Sequence, residues 1–329
     1  MRTKLSEILV TGGAGFIGSA FVRLAVKKGY RVIIIDNLTY AADLKRLEGA
    51  KRGVRFHKAD IANKTSVEKI FKKYHPKIVI NFAAETHVDR SIRDAGVFLK
   101  TNVIGTQVLL DISRKYKIKK FIHISTDEVY GEIERGAFTE ESPLSPNSPY
   151  AASKAAGDLL IKSYIRTYNF PAVIVRPCNN YGIWQYPEKL IPLSILKVFR
   201  NEFIPIYAQG KNVREWLYVE DCVEGILKVA QRGRVGEVYN LGSDEERQNI
   251  EVIKLLLRVL GVPRDRIQFV KDRPGHDIRY KLDRRKVLKE IGWQPKVKLG
   301  TGLNLTVRWA RENKNWLLSK WSNIAPLYK

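Results

Sequence analysis

Short runs of β-branched and aliphatic residues alternate with longer amphipathic stretches through the first half of the chain. Glu7-Ile8-Leu9-Val10, Arg31-Val32-Ile33-Ile34-Ile35, Lys77-Ile78-Val79-Ile80, Lys120-Phe121-Ile122-His123-Ile124 and Ala172-Val173-Ile174-Val175 read as strands. They are apolar almost throughout rather than at every second position, the pattern of parallel strands covered on both faces. Phe16 to Lys28 and Phe98 to Tyr116 read as crossover helices between them, with Leu99, Val103, Thr106 and Leu110 on one face of the second. The expected fold is an α/β doubly wound parallel sheet.

After Arg176-Pro177 the alternation weakens. Residues 178–216 hold several prolines and aromatics and read as loop-rich. Ile253, Leu256, Leu257 and Leu260 mark an amphipathic helix stopped by Gly261 and Pro263. Val238-Tyr239-Asn240-Leu241 reads as a strand returning to the sheet. A chain of 329 residues supports two lobes. The expected division is 1–177 with 217–243 for the large lobe, and 178–216 with 244–329 for a smaller, mixed α/β lobe. No internal repeat or low-complexity tract interrupts either.

Charge widens the set of partners to consider. Lys and Arg total 58 against 34 Asp and Glu, a net charge of +24. Nucleic acid and an anionic substrate both fit that balance, as does a thermophile-like surface poor in Met and Cys. No aromatic–basic repeat of the RNA-binding type occurs, so no nucleic-acid partner is expected. No apolar run approaches membrane-spanning length, so no membrane partner is expected either. Met1 to Glu7 leads directly into a strand-like run with no room for a signal peptide, and the 2 cysteines, Cys178 and Cys222, read as reduced thiols; the expected compartment is the cytoplasm. No His/Cys cluster has metal-ligand spacing, and no metal is expected.

Candidate chemistry begins at Val10-Thr11-Gly12-Gly13-Ala14-Gly15-Phe16-Ile17-Gly18, between a strand and a helix. Glycines there permit a tight turn and close approach of a pyrophosphate, and the helix N-terminus offers free N–H groups to it. The spacing is GxxGxxG, that of the short-chain dehydrogenase/reductase superfamily, which the chain thus resembles. Asp36 ends the second strand about twenty residues on, where a carboxylate accepts hydrogen bonds from a ribose and repels a 2′-phosphate. Asn37-Leu38-Thr39 after it contain no arginine, so the expected cofactor is NAD. Asp60-Ile61 are candidates for the adenine side.

Tyr150 and Lys154 lie one helical turn apart, after Ser148-Pro149 and 24 residues beyond Thr126. In the superfamily such a tyrosine is the base, Thr126 hydrogen-bonds the same sugar oxygen, and Lys154 holds the nicotinamide ribose and lowers the tyrosine pKa. Moving a tyrosine from about 10 to about 7 takes roughly 4 kcal/mol. One neighbouring cation supplies about one to three units, so the positive ring of NAD+ is expected to help Lys154.

Thr126-Asp127-Glu128 makes the resemblance sharper. With Ile124-Ser125 before it and Val129-Tyr130-Gly131 after, with Asn81-Phe82-Ala83-Ala84-Glu85-Thr86-His87-Val88-Asp89-Arg90-Ser91, with Pro187 to Pro192, with Val213 to Asp221 and with Asp272-Arg273-Pro274-Gly275-His276-Asp277, the chain resembles the dTDP-glucose 4,6-dehydratase family over residues 6–293. The resemblance implies a Rossmann-type fold, retained NAD, and a reaction in which C4 is oxidised, water is eliminated across C5 and C6, and hydride returns to C6. It implies Glu128 as the C5 base and Asp127 as the C6 acid. It implies cofactor contacts from Gly12, Gly15, Phe16, Ile17, Gly18, Asp36, Asn37, Leu38, Thr39, Asp60, Ile61, Phe82, Ala83, Ala84, Thr101, Tyr150, Lys154 and Asn180. It implies contacts to the nucleotide-sugar substrate from Glu85, Thr86, Thr126, Asn179, Lys189, Leu190, Pro205, Ile206, Tyr207, Arg214, Asn249, Arg273 and His276. By the same analogy the helices near 97–116 and 150–169 form a homodimer surface. A nucleotide-sugar 4-epimerase, which shares Tyr150, Lys154 and the glycine loop, remains the alternative, and a nucleic-acid or regulatory binding protein is the rival suggested by charge.

Overall fold

The computed structural model describes residues 7–327; the stretch before Glu7, on which the expected lack of a signal peptide rests, lies outside them. The strands are β1 (Glu7–Thr11), β2 (Arg31–Asp36), β3 (Val54–Lys58), β4 (Ile78–Asn81), β5 (Lys120–Ile124), β6 (Ala172–Pro177), β7 (Asn179–Tyr181), β8 (Ile204–Tyr207), β9 (Val213–Tyr218), β10 (Val238–Leu241), β11 (Glu246–Gln248) and β12 (Ile267–Val270). Seven of them form one parallel sheet in the order β3-β2-β1-β4-β5-β6-β10. This is the doubly wound architecture, and the order reverses between β1 and β4.

The near-continuous apolar strands have the reason expected of them. Ile8 and Val10 enter one buried cluster with Phe21 and Val22 of the Phe16–Lys27 helix and Val223 and Ile226 of the Val219–Arg232 helix. Leu9 between them enters the opposite cluster with Phe71, Leu109 and Ile161, from the helices Lys64–Tyr74, Thr106–Lys115 and Pro149–Tyr168. Successive side chains point to opposite faces, and helices cover both.

A third cluster joins Tyr181, Leu196, Trp216, Leu256, Leu303 and Trp316. It lies around two small sheets, β11-β9-β7 and β12-β8. Residues 178–216 are more regular than their prolines suggest. They hold β7, β8 and the start of β9, and the helix Leu190–Phe199. Pro192 falls in the first turn of that helix, where its missing N–H has no intrahelical partner to lose. The helix expected from the leucine pattern runs Asn249–Leu260 and stops at Gly261 in the left-handed conformation, φ 75°.

The expected helix 98–116 is one continuous run with a change of winding. Gly96–Phe98 is α-helical, Leu99–Gly105 is a π-helix and Thr106–Lys115 is α-helical again. Wider turns rotate the face, so Leu99 is exposed and Val103 half-buried, whereas Asn102, Thr106 and Leu110 are buried. β3 had no counterpart among the strands read from the sequence. It is an edge strand with a half-exposed pattern, so its apolar signal is weak.

The Pro149–Tyr168 helix begins with Pro149 at its first turn and Ser148 as its cap, whose hydroxyl accepts from Ala151 N at 3.1 Å. Ser148→Ala is expected to lower the unfolding free energy by about 1 kcal/mol. Urea denaturation checks this; an unchanged midpoint contradicts the cap.

Candidate active site

A cavity of about 360 Å³ opens at the carboxyl ends of β1, β2, β4 and β5, where the strand order reverses, and continues to the second lobe. Gly12, at φ 67°, turns the chain out of β1; a Cβ there would stand 2.6 Å from Ala83 N. A Cβ on Gly18 would stand 2.1 Å from Gly12 O. Gly15 caps the following helix without any side-chain hydrogen bond and with no acidic residue in its first turn. The free N–H groups and positive end of that helix face the cavity and suit an anionic pyrophosphate.

Asp36 closes β2. Its Oδ2 accepts from Ala14 N at 2.9 Å and its Oδ1 from Leu38 N at 2.8 Å, which ties the carboxylate to the glycine loop. Burial pushes its pKa up against those two bonds. Asp60 Oδ1 accepts from Ala62 N at 2.9 Å, and Oδ2 pairs with Lys100 at 3.1 Å. All the cofactor positions expected from the sequence line the cavity except Leu38, which packs against the core. Cradle, ribose-facing acid and apolar walls fit a dinucleotide.

Thr126 to Tyr130 form a cap and a short 3₁₀ turn after β5. Thr126 Oγ1 accepts from Glu128 N at 3.3 Å and donates to Asp127 Oδ1 at 3.1 Å. Asp127 is 2% exposed, and its Oδ2 has no hydrogen-bond partner among the described residues. Burial, and next the charge of Glu128, push its pKa up to about 7. Glu128 is half-buried at the cavity wall. Burial pushes it up as well, but Arg273, Lys189 and Arg214 all oppose that push. Two adjacent carboxyls thus meet unlike fields, one able to hold a proton at neutral pH and the other surrounded by cations.

Tyr150 and Lys154 are buried against the same wall. Thr126 shares a hydrogen bond with the Tyr150 phenol, but burial and the charges of Glu128, Asp127 and Asp158 raise the phenol above its ordinary value. Lys154 donates to Ile124 O at 2.6 Å, and burial lowers it to about 8. Within the protein the Tyr150 phenol is thus held above its ordinary range.

Among the substrate positions, Glu85, Thr86, Thr126, Asn179, Lys189 and Leu190 line the cavity. Lys189 donates to Thr86 O at 2.8 Å, linking the lobes across it. Burial, then Glu188, raise Glu85 to about 7. Pro205, Ile206, Tyr207, Arg214, Asn249, Arg273 and His276 are not among the residues that line the cavity. Ile206 is buried in the second core, so its side chain cannot serve a ligand. Arg214 spends its donors on Val213 O at 2.7 Å, Asp277 O at 2.8 Å and Ile278 O at 3.2 Å. Arg273 pairs with Asp89 at 2.9 Å, and His276 Nδ1 lies 2.6 Å from Asp272 Oδ1. Asn249 begins a helix, with its Oδ1 buried and unpartnered.

Sequence reasoning passed over Asn102 and Glu188. Asn102 brackets the backbone of Glu85, accepting from its N and donating to its O, both at 3.0 Å, and donates to Ser153 Oγ at 2.8 Å. Glu188 accepts from Tyr40 at 3.0 Å and from Arg90 at 3.4 Å. Their adjacency to Thr101 and Lys189 was the available signal.

A parallel sheet with its cleft at the strand reversal, a glycine cradle, and a tyrosine and lysine one turn apart define a sugar-nucleotide dehydratase or epimerase of the short-chain dehydrogenase/reductase type. The chain belongs to the family described as GDP-mannose 4,6 dehydratase, whose pattern it matches over residues 9–306. It is 46% identical over 330 residues to a dTDP-glucose 4,6-dehydratase of Xanthomonas campestris pv. campestris, covering 94% of each chain. It matches the structure of the dTDP-glucose 4,6-dehydratase DesIV of Streptomyces venezuelae, solved with NAD and dTDP bound, with TM-score 0.92 and 45% identity over 94% of this chain and 98% of that one. A UDP-glucose 4-epimerase of Thermotoga maritima solved with UDP-glucose matches with TM-score 0.88 and 34% identity, over 94% and 99%.

Asp127 binds its proton more tightly folded than unfolded. Its contribution to stability is full below the unfolded carboxylate range of about 4 and is lost as pH rises through about 7. Asp127→Asn is expected to make the fall in unfolding free energy between about pH 5 and about pH 8 shallower. Denaturant titrations at the two pH values measure it; parallel curves for the two proteins contradict the assignment.

Proposed function

We propose that the chain converts dTDP-glucose to dTDP-4-keto-6-deoxyglucose and water. It is an NAD-dependent enzyme, and the dehydratase relatives at about 46% identity favour elimination over epimerisation. The observation that carries the reading is the unlike pair Asp127 and Glu128 on the same wall as Tyr150 and Lys154. A 4-epimerase has no use for two acids there.

The glycine loop and Asp36 would hold the dinucleotide and Lys154 its nicotinamide ribose. NAD, when bound, would supply a positive charge and a reversible acceptor for the C4 hydride. Tyr150 removes the C4 hydroxyl proton while Thr126 hydrogen-bonds the same oxygen. The resulting ketone acidifies C5–H, and Glu128, whose negative charge is favoured by Lys189, Arg214 and Arg273, takes that proton and, after exchange with solvent, returns one to C5 when hydride is delivered to C6. Asp127, which holds its own proton to about pH 7, gives it to the departing C6 hydroxyl as water. Glu85, Thr86 and Asn179 face the sugar, and Lys189, with the charges of Arg214 and Arg273 behind it, makes the diphosphate side cationic, while His276, which burial lowers to about 4, adds a neutral ring there.

The same reading assigns residues 1–177 and 217–243 to the cofactor lobe and 178–216 and 244–329 to the substrate lobe. It assigns a homodimer: Val97, Leu99 and Ile104 on one helical run and Leu159 on the adjacent helix are large apolar side chains left exposed. A cytoplasmic location accords with two free, buried thiols. No helix among the described residues is long and apolar enough to cross a membrane.

Turnover of dTDP-glucose in deuterated water is expected to place solvent deuterium at C5 of a product lighter by one water. Glucose–galactose interconversion without loss of water overturns the reading. Asp127→Asn is expected to slow elimination by about a hundredfold to ten-thousandfold while C4 oxidation, followed as NADH absorbance in a single turnover, is much less affected. Equal loss of both steps removes Asp127 from the acid role.

A further inference from the structure

The helix that carries Tyr150 and Lys154 carries Asp158 one turn further on, so the three side chains follow one another at four-residue steps along a single face. Nothing in the chemistry above uses Asp158. It is 0% exposed. Its Oδ2 accepts from Arg176 Nε on β6 at 2.9 Å, with Arg176 Nη2 also at 2.9 Å. Its Oδ1 has no hydrogen-bond partner among the described residues and lies 3.8 Å from His123 Nε2 on β5.

A chain of buried polar contacts leads to that point. Thr11 Oγ1 donates to Asn81 Oδ1 at 2.6 Å, which fixes the amide so that Nδ2 faces His123 Nδ1 at 3.2 Å. The ring proton of His123 is thereby assigned to Nε2, toward Asp158. Thr11, Asn81, His123, Asp158 and Arg176 are all buried. The chain crosses β1, β4 and β5 beneath the cofactor cleft and ends on the carboxylate.

Lys154 needs such a partner. Its ammonium is buried with a carbonyl, Ile124 O, as its hydrogen-bond acceptor. A cation so placed sheds its proton unless an anion holds it. His123 on β5 feels the charge of Lys154; Arg176 on β6 and Lys162 on the same helix act on Asp158, Arg176 lies over Tyr130 of the 3₁₀ turn, and Asp127 and Glu128 of that turn act on Tyr150. Burial keeps His123 neutral, Arg176 adds positive charge, and Asp127 and Glu128 act on the Tyr150 end. Asp158 is the carboxylate whose charge raises Lys154.

We propose that Asp158 is a positioning residue that keeps Lys154 in its ammonium form, with Arg176 and the Thr11–Asn81–His123 chain fixing the carboxylate behind it. The proposal rests on the reading of Tyr150 and Lys154 as the proton-transfer pair. Lys154 then works in the dehydratase with the Asp158 carboxylate behind it, and replacing that carboxylate brings the alkaline limit of turnover down.

The test is the pH profile of kcat for dTDP-glucose turnover by the holoenzyme. In Asp158→Asn the alkaline limb is expected to move down by about one unit, so that activity falls about tenfold more at about pH 9 than at about pH 6.5. Asp158→Glu is expected to restore the limb in part. A uniform loss at all pH values, with the limb unmoved, overturns the proposal. Because Asp158→Asn strands the Arg176 charge, Asp158→Asn/Arg176→Met removes both and is expected to show the same shift. If neither variant folds, NMR titration of the Lys154 side chain in the unaltered holoenzyme decides: an amine already neutral at about pH 7 overturns the proposal, and an ammonium persisting above about pH 8 sustains it. Tyr150→Phe separates the two readings. If it retains full turnover, the proton-transfer pair itself is wrong; if it is inactive while the Asp158→Asn limb is unmoved, the pair stands and the role of Asp158 falls.

Discussion

Asp127 is enclosed, with one oxygen bonded to Thr126 and the other without a hydrogen-bond partner among the described residues, and it adjoins a second carboxyl whose charge three cations favour. Ionising both groups there is costly, and their surroundings differ: burial holds the proton on the more deeply buried acid, whereas three cations oppose the same push on the cavity-facing one. The rest of the architecture serves to keep that difference. β5 delivers the Thr126–Tyr130 turn to the end of the sheet. The second lobe brings Lys189, Arg214 and Arg273 to its open side, and the Pro149–Tyr168 helix closes the back.

The sheet fixes where this can happen. Its strand order reverses between β1 and β4, and the crevice left at their carboxyl ends is where loops from both halves converge. The glycine turn follows β1, Asp36 ends β2, Phe82-Ala83-Ala84 follow β4 and Thr126 follows β5, so the cradle, the ribose-facing acid, the wall and the acid pair are successive strand exits. Each strand is anchored by apolar residues entering clusters on both faces, which makes these exits rigid relative to one another.

Buried polar groups run against that apolar background. Asn102 holds Glu85 by both backbone groups and reaches Ser153 on the catalytic helix. Arg176 and His123 enclose Asp158 under Lys154. Such groups are destabilising unless satisfied, and Asn102 joins the Glu85 segment after β4 to the Tyr150 helix through hydrogen bonds rather than through packing alone. The same enclosure raises Asp127 and Tyr150 and lowers Lys154.

The sequence by itself determined the parallel sheet, because uninterrupted apolar strands such as Val32 to Ile35 have no stable place except between two helical layers. It also determined the glycine cradle, Asp36 and the Tyr150–Lys154 step, since each depends on spacing within one turn or one helix. Tyr150, Lys154 and Asp158 form a single four-residue series, so Asp158 was legible too, although a buried aspartate reads as an ordinary helix residue until Arg176 is seen against it. Only the tertiary structure decided which side chains reach the cleft. It buried Ile206 in the second core, turned Arg214 onto backbone carbonyls, and rotated Leu99 outward through a π-helical stretch. It also set the proton affinities of Asp127 and Glu128, because those arise from burial and from cations carried by residues distant in the chain, and no local pattern encodes the distance between strand exits and a second lobe.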